Sequence, residues 1–437
     1  MVRPAIILHC VRCQGASMKE SVRKHPVTES LLYLINWSVF ALLTGVAGGL
    51  LGGLFALAVR KAGALFAETA WLLYSLPLFG ALIVLLYKIT GEEKNRGTNM
   101  VLSSISAGEK VTLPTGPLIF VSTVLSHLGG ASVGREGAAL QLGGWLGERF
   151  GALCRLDEKD RRTAIMCGMS ALFAALFGTP VAAAVFCIEV ISVGVFFYAA
   201  LIPCVFSAFI GAGVASLMGV EAEVYRILSV PELSVPLLLK TVLLGLFCAL
   251  LAILLVKTLH GAEKAAKRFL PDPFVRVLVS GGLIVLLTLL IQTRRFSGSG
   301  SALIAQAMSE ETDPTAFILK LLFTALAVAG GFRGGEIVPT LSIGASFGAL
   351  FGSLTGMPVS LAAACGMTAL FAGATNCPIA ALLIAMEMFR GEGLPYFAVT
   401  VALSFVLSGY YSLYGSQRFA YSKTRLEPHD PPINTDR

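Results

Sequence analysis

Apolar residues fall in long runs, at approximately 29–60, 69–90, 115–130, 163–191, 195–219, 233–257, 273–292, 314–330, 337–355, 360–389 and 394–414. Several reach the roughly 20 residues a helix needs to cross hydrocarbon. Others are short, kinked by Pro180, Pro339 or Pro378, or interrupted by glycine. A broken helix can end at bilayer depth only where it lines a cavity or packs on protein. The pattern predicts an all-α polytopic membrane protein.

The pattern also repeats. The stretch Cys167-Gly168-Met169-Ser170-Ala171-Leu172-Phe173-Ala174 is nearly rewritten as Cys365-Gly366-Met367-Thr368-Ala369-Leu370-Phe371-Ala372. The same offset of 198 carries Pro180-Val181-Ala182-Ala183 onto Pro378-Ile379-Ala380-Ala381 and Glu189 onto Glu387. An offset of 200 sets Glu136 on Glu336. Paired interrupted helices in two halves point to a site at the repeat interface. The expected division is a basic cytoplasmic tail (1–28), a first transmembrane repeat (29–220), a second (221–425) and a C-terminal tail (426–437). Sequence alone leaves open whether the repeats run parallel or inverted.

Composition agrees. Of 437 residues 56% are hydrophobic and 14% charged, and mean hydropathy is +0.79, which excludes an ordinary soluble domain. The 46 glycines suit close helix packing in a membrane. The net charge of +7 does not point to nucleic acid, because the basic residues sit in short loops and at the ends. Lys19, Arg23 and Lys24, then Lys257, Lys264, Lys267, Arg268 and Arg276, then Arg418, Lys423 and Arg425 mark cytoplasmic segments by the positive-inside rule. The first residues lack the order of a signal peptide, and no soluble regulatory domain is expected after residue 425. The nine cysteines are scattered, several within apolar runs, which argues against a disulfide framework. His9, Cys10 and Cys13 have no second ligand pair and read as incidental. No nucleophile–base pair or His-Glu-x-x-His motif is visible, so neither an enzyme nor a cofactor is expected. A membrane-embedded sensor would predict no ion flux at all.

Two acids stand apart. Glu136 lies in Gly134-Arg135-Glu136-Gly137, and Glu336 lies in Gly334-Gly335-Glu336-Ile337-Val338-Pro339. An ionisable group at bilayer depth is costly and usually marks an ion or proton path. Flanking glycines let backbone N–H groups approach a small ligand, and a helix N-terminus would present unpaired N–H groups to an anion. Glu136 could occupy that anion site itself, or simply pair with Arg135. Glu336 could act similarly or pair with Arg333. His127 reads as a packing residue or a proton relay, Glu189 and Glu387 as structural acids, and Tyr410 and Tyr411 as interfacial aromatics.

Gly134-Arg135-Glu136-Gly137 resembles the gating-glutamate signature of the CLC anion channels and transporters. The resemblance runs from about residue 30 to 425 and keeps motif order. Gly97-Thr98-Asn99-Met100 falls on the first anion-binding segment, Gly334 to Pro339 on the second, and Tyr414 on the central tyrosine. The resemblance implies a CLC-type fold of two inverted repeats of broken and tilted helices. It also implies a homodimer with one pathway per subunit in the cell membrane, as a multi-pass protein of the bacterial inner membrane. It assigns gating and proton coupling to Glu136. Anion contacts fall among Thr98, Gly134, Arg135, Gly137, Gly335, Glu336, Ile337, Val338 and Tyr414; those at Thr98 and Ile337 are expected largely through backbone N–H groups, which bind an anion without holding it too tightly for release, and that at Tyr414 through its hydroxyl.

Two departures sharpen the expectation. Val190 stands where exchangers of this family carry an inner proton-transfer acid, and Glu336 replaces an apolar residue. Both resemble the fluoride-exporting branch, in which Glu336 is a second functional carboxylate. Thr98, two places before Met100, is closer to the serine of chloride-type members; a small gap would put Met100 there instead. The expected activity is fluoride export against inward protons, and the alternative is a chloride channel or chloride/proton antiporter on the same scaffold.

Overall fold

The computed structural model describes residues 26–425, 427–428 and 433–434. Most of the basic tail, with His9, Cys10 and Cys13, lies outside the described residues, as does most of the C-terminal tail. Among the described residues sixteen α-helices follow one another as two series of eight. The first is α1 (Pro26–Glu68), α2 (Leu76–Ile89), α3 (Thr98–Ala107), α4 (Thr115–Leu128), α5 (Glu136–Leu153), α6 (Glu158–Phe177), α7 (Pro180–Glu189) and α8 (Leu201–Leu217). The second is α9 (Val235–Phe269), α10 (Pro273–Ile291), α11 (Ser301–Met308), α12 (Ala316–Gly330), α13 (Ile337–Thr355), α14 (Val359–Thr375), α15 (Pro378–Met388) and α16 (Leu394–Leu407).

Each series opens on a very long helix, of 43 residues in α1 and 35 in α9. At 1.5 Å per residue α9 alone is about 52 Å long, well beyond a hydrocarbon core of about 30 Å, and its last three turns carry Glu263, Lys264, Lys267 and Arg268. From Thr241 to Val256 α9 is apolar nearly all round. On α9, Leu239, Leu243, Leu246, Leu250 and Leu254 are exposed in one lipid-ready stripe, while Leu244, Cys248, Leu255 and Val256 are buried behind it. Six helical stretches among the described residues are long and apolar enough to span a membrane.

The runs 163–191 and 360–389 are not single helices. The first breaks at Gly178 (φ 69°) and the second at Asn376 (φ 58°), each followed two residues later by a helix-starting proline. A left-handed residue ends one helix, and proline can only begin the next. Apolar length alone conceals this. The short helices α3 and α11 escape the hydrophobic pattern because polar and small residues fill them.

The four helices around these breaks are the centre of the molecule. Every residue from Ala164 to Phe177 and from Ser360 to Thr375 is buried. Glu189, at the end of α7, accepts N–H groups of Ile379 (3.1 Å) and Ala380 (2.8 Å) at the start of α15. Glu387 of α15 returns the arrangement, accepting from Val181 (3.0 Å) and Ala182 (2.8 Å) at the start of α7. This reciprocal capping is the local signature of the inverted relation between the repeats, and it gives both acids the structural role expected of them.

The remaining expectations divide. Tyr411 is not an interfacial aromatic: it is buried, with the Lys257 amine 5.1 Å from its ring centre. The Lys423 amine donates to Asn376 Oδ1 (2.5 Å) and the Phe405 carbonyl (2.7 Å). A two-residue parallel pair, β1 (Ser192–Val193) with β2 (Arg418–Phe419), ties the chain after α7 to the segment after α16.

Candidate functional site

The two glycine-flanked acids meet at one junction. Gly134 and Gly335 form an antiparallel bridge, each N–H donating to the other's carbonyl at 2.6 and 2.7 Å. The bridge brings the N-termini of α5 and α13 together, and the glycines are what permit it. A Cβ added to Gly137 would lie 2.9 Å from Gly335 Cα, closer than real side chains come. The equivalent residues are offset by 201, so Glu136 is matched by Ile337 and not by Glu336. The offset of 200 is therefore one residue out at this point: Glu136 is the first residue of its helix, whereas Glu336 is the cap before the next.

Glu136 is fully buried, and its carboxylate occupies the junction. Oε2 accepts the Arg135 N–H (2.9 Å) and, across the junction, the Val338 N–H (3.4 Å). Oε1 has no hydrogen-bond partner among the described residues. Charge-assisted bonds at two helix N-termini suit a carboxylate, and equally a small anion in its place. The pairing of Glu136 with Arg135 also exists, but loosely, with Nε 3.7 Å from Oε1. Arg333 does not pair with Glu336. Its guanidinium sits 4.3 Å from the Tyr87 ring centre, and its backbone N–H donates to Ser126 Oγ (3.2 Å).

Two cavities approach the junction from opposite sides. One, of about 490 Å³, is lined by His127, Arg135, Glu136, Glu223 and Val338. The other, of about 600 Å³, is lined by Thr98, Gly335, Glu336 and Tyr414, with Lys267 from the last turn of α9 and Arg276 from the first turn of α10. We call this second cavity the inner one, and the first the outer one, after the basic residues at the facing ends of α9 and α10. Gly134, Gly137 and Ile337 line neither and form the wall between them. Thr98, not Met100, faces the inner cavity. Its hydroxyl donates to the Gly137 carbonyl (3.2 Å), while Met100 is buried.

Tyr414 is buried with its hydroxyl unpartnered among the described residues. A network that local sequence pattern does not announce holds its segment. Gln417 donates to the carbonyls of Val190 (3.0 Å) and Thr375 (2.8 Å) and accepts from Ser412 (2.7 Å) and Asn376 (3.0 Å). Ser412 Oγ in turn accepts the Tyr414 N–H (3.1 Å), and Asn99 Oδ1 accepts the Ser416 N–H (3.0 Å). Gln141 is a second omission, donating to the Gly137 carbonyl (3.2 Å) beside Thr98. Its helical spacing from Gly137 was the available signal. His127 donates from Nδ1 to the Thr123 carbonyl (2.9 Å), which leaves Nε2 without a partner among the described residues. Among the described residues no group of three or more His, Cys, Asp or Glu is placed to hold a metal ion.

Broken helices whose N-termini converge on a buried carboxylate define an anion-conducting membrane protein. The description "Voltage gated chloride channel" matches residues 79–409, most of the chain. The chain belongs to that family, the CLC anion channels and transporters. It is 32% identical over 416 residues to a "Chloride/fluoride channel protein" of Pseudomonas syringae pv. tomato, covering 93% of this chain and 92% of that one. The crystal structure of a CLC-type fluoride/proton antiporter superposes with a TM-score of 0.85 at 32% identity, covering 88% of this chain and 98% of that one. A slow cyanobacterial Cl−/H+ antiporter, at 19% identity and a TM-score of 0.73 over 85% of this chain and 94% of that one, shares the fold. This chain is thus an anion transporter of the CLC family in a membrane.

Proposed function

We propose that the protein exchanges fluoride for protons, exporting fluoride across a bacterial inner membrane with Glu136 as the gate. The observation that carries the reading is the Glu136 carboxylate seated on the N–H groups of Arg135 and Val338, between two cavities. Ionised, it competes with an anion for those donors. Protonated, it has less hold on them and yields the place. Alternate occupancy of one site by carboxylate and anion couples the two fluxes without a second proton carrier. That matters here, because Val190 is fully buried where the inner acid would stand, and Glu189 is engaged as a cap.

The fluoride preference is supported by Glu336 at the inner cavity and by likeness to a fluoride/proton antiporter. In this reading the anion passes the Tyr414 hydroxyl and the Thr98 end of α3 and then meets the backbone at Gly335 to Val338, with Gly134, Arg135 and Gly137 building the opposite wall. A homodimer with one pathway per subunit is part of the proposal. Thr98 favours the second reading, a chloride channel or exchanger, because a hydroxyl at this place suits chloride-type members.

Proteoliposomes loaded with fluoride or chloride, with anion and external pH recorded together, decide between them. Fluoride release well above chloride, with opposed proton movement, is expected. Chloride release equal to or faster than fluoride overturns the assignment, and release without proton movement makes the protein a channel.

A further inference from the structure

Arg135 is the cation nearest Glu136, yet it does not form the bidentate fork that a guanidinium normally makes with a neighbouring carboxylate. Its Nη2 donates instead to Glu223 Oε1 (2.5 Å) and to the Leu176 carbonyl (3.3 Å), leaving only Nε at 3.7 Å from Glu136 Oε1. Glu223 comes from the connection between α8 and α9. It is held rigidly there: its N–H donates to the Phe177 carbonyl (3.0 Å), and two residues on the Tyr225 N–H donates to the Met388 carbonyl (2.9 Å). The loop is thus anchored to the ends of α6 and α15, one in each repeat. Glu223 and Glu136 line one outer cavity, and each keeps one buried carboxylate oxygen with no hydrogen-bond partner among the described residues.

Of the other cations facing this cavity, two arginines are engaged elsewhere. Arg294 donates to the carbonyls of Phe66 (2.8 Å), Ala67 (2.7 Å) and Thr69 (3.2 Å) at the end of α1. Arg295 is paired with Asp313. Arg60 of α1 also lines this cavity, and it lines a smaller one with Arg135, Glu221 and Glu223. His127 faces Glu136 from α4, and Lys320 of α12 lies behind, donating to Ser132 Oγ (2.9 Å) and the Gly298 carbonyl (2.6 Å). On the inner side stand Glu336 and Tyr414.

We propose that Glu223 is a positioning residue of the gate, which holds the Arg135 guanidinium off Glu136 so that the gate carboxylate can leave the helix ends. Without the Glu223 charge, Arg135 turns its full charge to Glu136, and a repelling carboxylate is lost as well. Both changes favour ionised, seated Glu136, and both therefore demand more acid to open the path. The inference rests on Glu136 being the gate; it does not depend on which halide passes or on proton coupling.

The test is fluoride efflux from proteoliposomes as a function of pH, for wild type, E223Q, E223D and E136Q/E223Q, beside E136Q alone. E223Q is expected to shift the pH of half-maximal efflux to lower pH by about one unit. E223D, which keeps the charge on a shorter arm, is expected to fall between E223Q and wild type. Its shift is read by itself if E223Q fails to give monodisperse protein. The double variant is expected to follow E136Q. An unshifted midpoint in the folded variant overturns the proposal, as does a shift that persists when residue 136 is glutamine. Wild-type efflux without proton movement would instead remove the antiport reading and leave this midpoint readable, because anion flux alone scores it.

Discussion

In the proposed gate, Glu136 is bound by the same kind of group that would bind a competing anion. Two backbone N–H donors hold it, each worth about 1.5–3 kcal/mol to a charged acceptor. Such bonds are strong enough to keep the carboxylate seated and weak enough to lose to an anion or a proton. Glu136→Gln keeps the shape but cannot titrate, so proton movement is expected to disappear from fluoride efflux measured with a pH electrode in the same vessel. Proton flux persisting in that variant would remove Glu136 from the coupling role. Tyr414→Phe deletes an unpartnered buried hydroxyl with little change of volume. Isothermal titration with fluoride is expected to show binding weakened about fivefold, the worth of a typical hydrogen bond of about 1 kcal/mol. Unchanged affinity would place the hydroxyl outside the anion site.

At the scale of elements, α5 lies against α6 and α13 against α14 at the distance of bare backbone. A Cβ on Gly168 would meet Gly147 N at 2.7 Å and Gly147 Cα at 3.0 Å; one on Gly366 would meet Gly348 Cα at 2.9 Å and Gly348 N at 3.1 Å. Backbone cannot step aside as a flexible side chain can. Gly168→Ala or Gly366→Ala is therefore expected to cost about 1–3 kcal/mol by overpacking, seen as a lower thermal midpoint in detergent. Gly63, in α1, has open space where its Cβ would lie. Gly63→Ala is expected to hold or raise the midpoint, by up to about 1 kcal/mol, through its gain in helix propensity. Equal effects at Gly63 and Gly168 would show that general helix propensity, not the close crossing, controls stability.

At the scale of the molecule, the two repeats are fastened at matched points: the bridge Gly134–Gly335 and the crossed caps Glu189 and Glu387. Each cap satisfies two N–H groups that proline-led helices would otherwise leave unpaired in a nonpolar surrounding. Glu189→Ala or Glu387→Ala is expected to lower stability by about 1–2 kcal/mol, again read as a thermal midpoint. Because Glu189 is spent on this fastening, Glu189→Gln is expected to leave proton coupling intact in the liposome assay. Loss of coupling there would make Glu189 a proton carrier and revise the role of Val190.

Much was legible before any coordinates. Runs of apolar residues set the membrane class, the echo of Cys167–Ala174 in Cys365–Ala372 set the doubled architecture, and glycines beside Glu136 and Glu336 marked the helix starts. These are local properties, since hydrocarbon thickness, helix breaking and backbone access are decided within a few residues of chain. Which groups meet is different in kind. That Arg135 is shared with Glu223, that Gln417 reaches Val190 and Thr375, that Arg333 turns to Tyr87 and away from Glu336, and that the junction pairs Gly134 with Gly335 are all contacts between distant segments. Their partners are chosen by the packing of whole helices, so only the tertiary structure decided them.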